Sequence, residues 1–215
     1  MWSYRFSILV ICCLIHMGMQ AQVSCSSLKV KKGISYMKAS KVHFTGTCVD
    51  VVKKSNKKSR RSDYLNGLLD GKDIWYYPNG RIQLVQEYKE GRRNGWWRFF
   101  TDDGKMSEEL EYKDGLPNGQ HILYFENGTV RQKRHFKDGV LEGEWKDFYE
   151  SGQLKRLTIY KHGQKEGAYK SYYPTGELQS EYTFKNDQID GLYRFYDIEG
   201  KVIYMWMYKE GSKQN

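Results

Sequence analysis

Proline and long apolar stretches are scarce in this sequence. Only three prolines occur in 215 residues, so few positions would interrupt a strand ladder, because proline has no backbone N–H to donate. The mean hydropathy is -0.79 and 28% of the residues are charged, which excludes a thick aliphatic core. No window combines a sustained helical apolar period with helix caps, so we expect little helix.

Recognisable catalytic motifs are also missing. The sequence contains no GxSxG, HExxH, Walker A or CxxC pattern, which argues against the nucleophile, zinc and nucleotide sites that depend on them. His43, His121, His135 and His162 have no His, Cys or carboxylate partner at a familiar metal-ligand spacing. We therefore expect a protein that is not an enzyme, with no catalytic residues, no metal site and no cofactor.

Aromatic residues are abundant where aliphatic residues are few. The 18 tyrosines, 9 phenylalanines and 6 tryptophans suit a pleated, partly solvated surface, because large rings pack well between strands. A disordered chain would contain few of them. The composition therefore predicts a folded, β-rich protein.

Glycine recurs at a fixed interval of 24 residues. Two series run through six positions in step with each other, and a third is interrupted only at Asp187. The three series are Gly71, Gly95, Gly119, Gly143, Gly167 and Gly191; Gly80, Gly104, Gly128, Gly152, Gly176 and Gly200; and Gly91, Gly115, Gly139, Gly163 and Gly211. Spacing of this kind indicates tandem structural units.

Two aromatic columns and one aliphatic column share the interval. The columns are Tyr76, Phe100, Tyr124, Phe148, Tyr172 and Tyr196; Tyr88, Tyr112, Phe136, Tyr160, Phe184 and Tyr208; and Ile82, Met106, Val130, Leu154, Leu178 and Val202. The aliphatic column precedes the second aromatic column by an even number of residues, which puts both on one face of a strand. We interpret the rings as a core rather than as the lining of a pocket.

Each unit reads as strand, turn, strand, turn. Stretches such as YPNGR and TDDGK are typical of inner turns, and YKEGRRNG and YKDGLPNG of outer turns, because glycine supplies the positive φ that tight hairpins need. Short links predict that successive hairpins stack, adding two strands or about 10 Å per unit. The predicted fold is all-β, with tandem 24-residue β-hairpin repeats stacked into an elongated antiparallel meander sheet.

The N-terminus has the layout of a secretory signal peptide over residues 1–21. MWSYRF carries one positive charge, SILVICCLI is a short apolar stretch, and HMGMQAQ is polar with Ala21 near its end. An ordinary buried segment is the alternative. We expect an exported protein that is periplasmic, associated with the outer envelope, or secreted.

Signal cleavage would leave Cys25 and Cys48 as the only cysteines. An oxidising compartment could join them, whereas two unrelated thiols are the alternative. QVSC, ending at Cys25, is also a weak match to a lipid-attachment site.

The remaining chain divides into three parts. Residues 22–42 form an N-terminal segment, residues 43–67 a degenerate first repeat with a basic loop, and residues 68–215 six repeats. In the degenerate repeat Tyr64 and Gly67 keep the register, whereas Asn56 replaces the second glycine.

The units resemble MORN repeats (membrane occupation and recognition nexus). More closely, DGKDIWYYPNGRIQLVQEYKEG and EGEWKDFYESGQLKRLTIYKHG resemble the variant repeat of bacterial YwqK-type antitoxin proteins, over residues 64–213. The resemblance implies a binding protein or scaffold with lipid or protein partners, and the antitoxin label implies neutralisation of a partner protein. The export signal departs from a cytoplasmic antitoxin and would move such a role to the envelope.

Two basic features are candidate anion sites. One repeat position always holds lysine, at Lys89, Lys113, Lys137, Lys161, Lys185 and Lys209. This row could engage a polyanion. Alternatively, the acidic residues that follow could screen it, and the lysines would then only keep the edge of the sheet soluble.

The second feature is KKSNKKSRR, which supplies Lys53, Lys54, Lys57, Lys58, Arg60 and Arg61. An exposed loop of this kind would favour binding to phosphate, anionic glycan or acidic lipid, with an affinity that falls as salt increases. The alternative is a solvated loop that binds nothing. Nucleic acid is an unlikely target for an exported protein.

The last strand differs from its copies. VIYMWMY at 202–208 is apolar on both faces, whereas MSEELEY at the equivalent position alternates. We hypothesise that Tyr204, Met205, Trp206 and Met207 bind an unidentified protein partner or a second copy, because an exposed apolar edge invites pairing. The alternative is a terminal cap covered by the N-terminal segment.

The sequence therefore predicts a non-enzymatic exported scaffold for protein–protein interaction, with an antitoxin-like or immunity-like role as one form. The alternative is a peripheral binder of anionic lipid or polysaccharide at the cell envelope. Salt would distinguish them, because binding by the basic segment would be screened.

Overall fold

The computed structural model describes residues 23–52 and 57–215. The predicted signal peptide lies outside these residues, as do Lys53, Lys54 and Asn56. A single 3₁₀ turn at Cys25–Ser27 leads into a small hairpin of β1 (Leu28–Lys31) and β2 (Ile34–Met37). No helix in the described part of the chain is long and apolar enough to cross a membrane.

The rest of the described chain forms one long sheet. Its strands are β3 (Gly46–Val52), β4 (Lys57–Leu65), β5 (Leu68–Tyr76), β6 (Ile82–Lys89), β7 (Arg92–Phe100), β8 (Met106–Lys113), β9 (Leu116–Tyr124), β10 (Val130–Lys137), β11 (Val140–Leu141), β12 (Gly143–Phe148), β13 (Leu154–Lys161), β14 (Gln164–Tyr172), β15 (Leu178–Lys185), β16 (Gln188–Ile189), β17 (Gly191–Tyr196), β18 (Val202–Lys209) and β19 (Ser212–Lys213).

The long strands of this sheet pair antiparallel, each with the long strand before it and the long strand after it. The short strands β11 and β16 continue into β12 and β17, which pair with the same preceding strand. No described ladder joins β19 back to β3, so the sheet is open. The predicted all-β meander is therefore confirmed.

The outer turns are two-residue turns, and each is hydrogen-bonded to the start of a strand in the preceding unit. In the turn between β6 and β7, Glu90 has φ 49° and Gly91 has φ 77°, which is the conformation that a tight hairpin needs. The Gly91 N–H donates to the carbonyl of Leu69 at 2.8 Å, and the Gly115 N–H donates to Arg93 in the same way. Each outer turn is thereby bonded to the preceding unit.

The inner turns are longer and are also linked between units. Between β5 and β6, the Tyr77 N–H donates to the Arg81 carbonyl at 2.8 Å, and Gly80 has φ 89°. The Tyr77 hydroxyl then donates to the carbonyl of Phe100 in the next unit at 2.8 Å. Both edges of the sheet therefore carry hydrogen bonds that run along its length.

The first glycine series occupies strands rather than turns, which corrects the predicted extent of the outer turns. Gly95 lies within β7 at a register shift, with φ 104°. There the Glu87 carboxylate accepts the Trp96 N–H at 3.0 Å. The side chain of Glu87 thus occupies the space that a Cβ at Gly95 would take, and glycine is required by this close approach.

The two aromatic columns lie on opposite faces. The Tyr124 hydroxyl contacts Glu109 on one face, whereas Tyr112 packs against Trp97 on the other with ring centroids 5.0 Å apart. Tyr112 is 9% exposed and is the one buried ring of the two columns. The columns therefore do not form the enclosed core that the sequence suggested, because no second layer covers either face in the described residues.

Burial is instead concentrated in one row across the middle of the sheet. We call it the central row: Cys48, Ser62, Asp73, Gln86, Trp97, Leu110, His121, Arg134, Trp145, Thr158, Tyr169, Tyr182, Tyr193 and Trp206. Its members lie opposite one another on successive strands, and such cross-strand pairs stabilise a sheet. Cys48 and Ser62 are fully buried, and Asp73 is 2% exposed.

Asp73 is a buried carboxylate with four donors. Arg60 contributes two hydrogen bonds, at 2.9 and 3.0 Å. Ser62 Oγ lies at 2.5 Å and Trp75 Nε1 at 3.1 Å. A buried charge is tolerated when its oxygens are paired in this way. The cluster therefore lets the central row carry a buried carboxylate on β5.

His121 joins a second polar cluster in the same row. Arg134 Nε donates to His121 Nδ1 at 2.9 Å, and His121 Nε2 lies 2.7 Å from Glu108 Oε1. The accepting Nδ1 requires a neutral ring that carries its proton on Nε2. Burial lowers the pKa of His121 and the positive charge of Arg134 lowers it further, although Glu108 acts in the opposite direction.

The strand glycines generate a matched prediction. A Cβ at Gly119 would lie 2.6 Å from Glu111 Cδ at φ 119°, whereas Gly128 has φ 87° with no atom within 4 Å. Gly128→Ala should lower the free energy of unfolding by about 1 kcal/mol through backbone strain alone. Gly119→Ala should lower it by about 2 kcal/mol, because the Glu111 side chain must also move away from the new methyl group. Urea midpoints measure both, and equal losses would contradict the steric role.

The His121 cluster predicts a pH effect. Because the folded-state pKa lies below the ordinary value of about 6.5, the neutral ring contributes stability that is fully present above pH of about 6.5 and is lost as pH falls through the folded-state pKa. His121→Gln should therefore lose less stability than the wild type between neutral and mildly acidic pH. Urea unfolding at several pH values tests this, and parallel curves would refute the assignment.

Candidate interaction edge

Strand β18 is the last long strand of the sheet and exposes apolar side chains on both faces. Ile203, Met205 and Met207 are 46%, 59% and 50% exposed, and Tyr204 is 50% exposed. Trp206 is half-buried. The four predicted partner-binding residues, Tyr204 to Met207, therefore lie together on one strand, and their binding role stays a prediction.

Ring stacking in the central row continues to this edge. Tyr193 stacks on Trp206 with centroids 5.6 Å apart, and Tyr204 stacks on Trp206 at 5.2 Å with a 12° angle between the planes. On the far side, Lys213 Nζ lies 4.3 Å from the centroid of Trp206. The rings are thus held in place by neighbours, so the edge presents a fixed shape rather than loose side chains.

The main chain of β18 is only partly paired on its open side. β19 pairs there with Tyr208 and Lys209, and the Gln214 N–H donates to the Met207 carbonyl at 2.8 Å. Successive residues of an antiparallel strand direct their main-chain groups to alternate sides, so those of Ile203 and Met205 also face the open side. No described strand lies beside residues 202–206 there.

The opposite edge of the sheet is covered. The Val49 N–H donates to the Val23 carbonyl at 2.7 Å, and Ser24 Oγ donates to Asp50 at 2.7 Å. A disulfide joins Cys25 to Cys48, which realises the first of the two alternatives for these cysteines. The described N-terminal residues therefore cap β3, and the suggestion that this segment covers β18 is wrong for residues 23–43.

The basic segment 53–61 does not form a single exposed loop. Lys57 and Lys58 begin β4, and Arg60 and Arg61 lie within it. Arg60 is bound to Asp73 and lies 4.6 Å from the ring centroid of Trp75. Arg61 pairs with Asp63 at 3.1 Å. The two arginines are thus already engaged, Arg60 with an acid of the next strand and Arg61 with an acid two residues along its own strand. Anion binding by the remaining lysines stays a prediction.

The lysine row lies on the outer edge of the sheet. All six lysines are exposed at the last position of a strand, and none has a carboxylate within 4.0 Å in the described residues. The acidic residues that follow, such as Glu90 and Asp114, occupy the positive-φ position of the turn, at 49° and 51°. These acidic residues therefore form part of the turn and do not pair with the lysines that precede them.

Sequence reasoning missed the polar clusters of the central row. Asp73 and His121 share a repeat position with Trp97 and Trp145, so no single residue type repeats there to mark them. Their partners come from other strands or other positions of the repeat. Both clusters have their hydrogen-bond partners within the sheet. In the described residues no group of three or more His, Cys, Asp or Glu side chains could hold a metal ion.

A scan of protein families matches the variant form of the MORN repeat at residues 69–90, 93–114, 117–138, 141–162 and 165–186. These matches cover just over half of the chain. The protein belongs to the MORN repeat variant family. A search of curated proteins found no match.

The matched MORN units end at Asn186, whereas the hairpin of β17 and β18 continues the same pairing beyond them. This last hairpin carries the apolar sequence that distinguishes the edge. The unpaired strand thus lies outside the matched repeats. MORN repeats form a scaffold consistent with protein binding.

Proposed function

We propose that this MORN repeat protein is a non-enzymatic scaffold that binds protein by strand addition at β18, and that the occupant is a second copy of the chain. The observation that carries the proposal is the contrast between the two edges. β3 is covered and cross-linked, whereas residues 202–206 combine an open main chain with exposed apolar side chains. Strand addition at such an edge is a common mode of protein recognition.

The edge strand is complementary to itself. No charged residue lies between Lys201 and Lys209, so an antiparallel pair of β18 strands brings no like charges directly opposite each other. Apolar side chains occupy both faces, so they meet apolar partners in every in-plane register. Two-fold pairing therefore satisfies the main chain and gives the apolar side chains of each face a cross-strand neighbour.

The tail of the chain limits the register. Because Gln214 already occupies the Met207 carbonyl, a second strand has residues 202–206 available. Centring the two-fold axis on Tyr204 pairs Ile203 of one copy with Met205 of the other, and the reverse. All four main-chain groups that face the open side are then bonded in each copy.

The covered edge explains why the assembly would stop at two. Head-to-tail growth would need β18 of one copy to pair with β3 of the next, but residues 23–26 and the disulfide lie against β3. A contact that cannot repeat head-to-tail closes as a symmetric dimer instead of a fibre. The disulfide and the signal-like N-terminus also support the export that the sequence predicts.

An antitoxin-like or immunity-like role is a narrower form of the same proposal. It would require a heterologous protein at β18 in place of the second copy. The salt-sensitive alternative, an envelope binder that acts through residues 53–61, is supported less, because Arg60 and Arg61 are committed to ion pairs within β4.

A single edge substitution tests the dimer. Light scattering coupled to size exclusion, over a series of concentrations, should show a dimer for the wild type. Met205→Lys should shift it to monomer, because a charge on an edge opposes pairing, with stability changed by only about 0.5 kcal/mol. Leu116→Lys is the matched control, since Leu116 is 51% exposed on an internal strand, and it should remain dimeric.

Two results would overturn the second copy as occupant. The first is a monomeric wild type at every concentration. The second is capture from native extract of a stoichiometric protein that Met205→Lys releases while the wild type remains monomeric. Capture should be repeated at high salt, because an apolar edge resists salt whereas binding by basic residues does not.

A further inference from the structure

The small N-terminal hairpin borders a cavity that is separate from the repeats. The cavity has a volume of about 460 Å³. Its basic lining residues are Lys29, Lys31, Lys32, Lys38, Lys41 and His43. Ile34 and Tyr36 supply the remaining surface. The hairpin precedes the family matches, so repeat architecture does not explain this concentration of basic residues.

Strand alternation gathers these side chains on one side of the hairpin. Lys29 lies opposite Tyr36, and Lys31 lies opposite Ile34. An isolated bridge then places His43 beside Tyr36. The lysines are exposed, whereas Ile34 and Tyr36 are half-buried. The result is a partly apolar floor surrounded by ammonium groups.

The other side of the hairpin is fixed to the sheet. Ser35 is 4% exposed and Phe44 is 7% exposed. The Ser35 N–H donates to the Gly67 carbonyl at 2.7 Å, and the Gly67 N–H donates to the Phe44 carbonyl at 2.7 Å. With the disulfide from Cys25, these bonds hold the cavity in position before any ligand arrives.

No carboxylate balances this charge. The first acidic residue of the whole sequence is Asp50, and its carboxylate accepts hydrogen bonds from Ser24 and Ser26. None of the basic side chains around the cavity forms an ion pair in the described residues, and among them only Lys38 has a side-chain hydrogen bond to the described protein, from Nζ to the Ser26 carbonyl at 2.5 Å. The lysine row also lacks ion pairs in the described residues, but its members follow one another along the outer edge at about 10 Å per unit instead of surrounding one cavity.

We propose that this cavity is a binding site for a phosphate group that carries at least two negative charges, either on a soluble ligand or on a lipid headgroup. Lysine binds phosphate as a point charge without the planar geometry that arginine imposes. The ammonium groups that line one cavity repel one another, and a multiply charged oxyanion relieves that repulsion. The apolar floor of Ile34 and Tyr36 accommodates the part of the ligand that carries the phosphate.

The inference does not depend on the dimer at β18, since it uses no residue of the repeats. It also differs from the basic segment 53–61 in position and composition. The site is a concave surface of lysines around an aromatic ring, whereas the arginines of that segment are consumed by internal pairs.

Calorimetric titration of the full chain with inorganic tripolyphosphate tests the site. The double variant Lys29→Gln and Lys31→Gln removes two cavity charges from exposed positions, and binding should weaken about tenfold or more, because hydrogen bonds to charged groups are strong. The control is Lys89→Gln with Lys113→Gln, which removes the same charge from the lysine row and should leave affinity within about twofold. Thermal melting of both variants checks that the fold is intact.

Vesicles distinguish the source of the phosphate. Sedimentation with phosphatidylcholine vesicles that contain phosphatidic acid, competed by tripolyphosphate and lost in the Lys29 and Lys31 variant, would assign a membrane headgroup. Binding of tripolyphosphate without vesicle binding would assign a soluble ligand. Equal weakening in the two double variants would show that binding follows net charge alone and would overturn the site, as would an absence of tripolyphosphate binding by the wild type.

Discussion

The sheet has no second layer over it in the described residues, so its side chains depend on cross-strand neighbours for cover. This constraint explains why burial concentrates in the central row, where each residue between the two edge strands has a neighbour on both sides. It also explains the prevalence of aromatic rings and of arginines above them, as with Arg93 over Trp97 at 4.2 Å. Long flat groups cover more of an adjacent strand than aliphatic ones do, and the rows of hydrogen bonds between turns hold the strands in the register that this packing needs.

The repeat period made the architecture predictable from the sequence. It did not make the polar clusters of the central row predictable. Glycines and rings at a fixed interval identify strands and turns because each must recur in every unit. Asp73, Trp97 and His121 occupy one equivalent position with unlike side chains, so periodicity cannot mark it; their partners become visible only when the register is known. The same applies to Arg60, whose acid lies on the following strand.

The two candidate sites also differ in how far the sequence alone reveals them. The edge at β18 was visible in the sequence because its alternation fails, and loss of alternation is a local property of one strand. The cationic cavity was not recognised, because it depends on a hairpin that brings Lys29 and Lys31 beside Tyr36 and His43. The only sequence feature that could have indicated the cavity is the series of lysines in the N-terminal segment, which contains no acidic residue. Both sites lie outside the matched repeats, which suits a scaffold whose middle is uniform and whose ends carry specificity.

The order of the strands also determines how the protein would carry load. Because the sheet grows one strand at a time from β3 to β18, tension between its ends acts across the strands and opens their hydrogen bonds a pair at a time. Strands pulled along their length would share the force over many bonds at once. Under such tension the sheet would lengthen by releasing single hairpins from the β18 end, whereas the Cys25–Cys48 disulfide would prevent the chain between these two residues from extending.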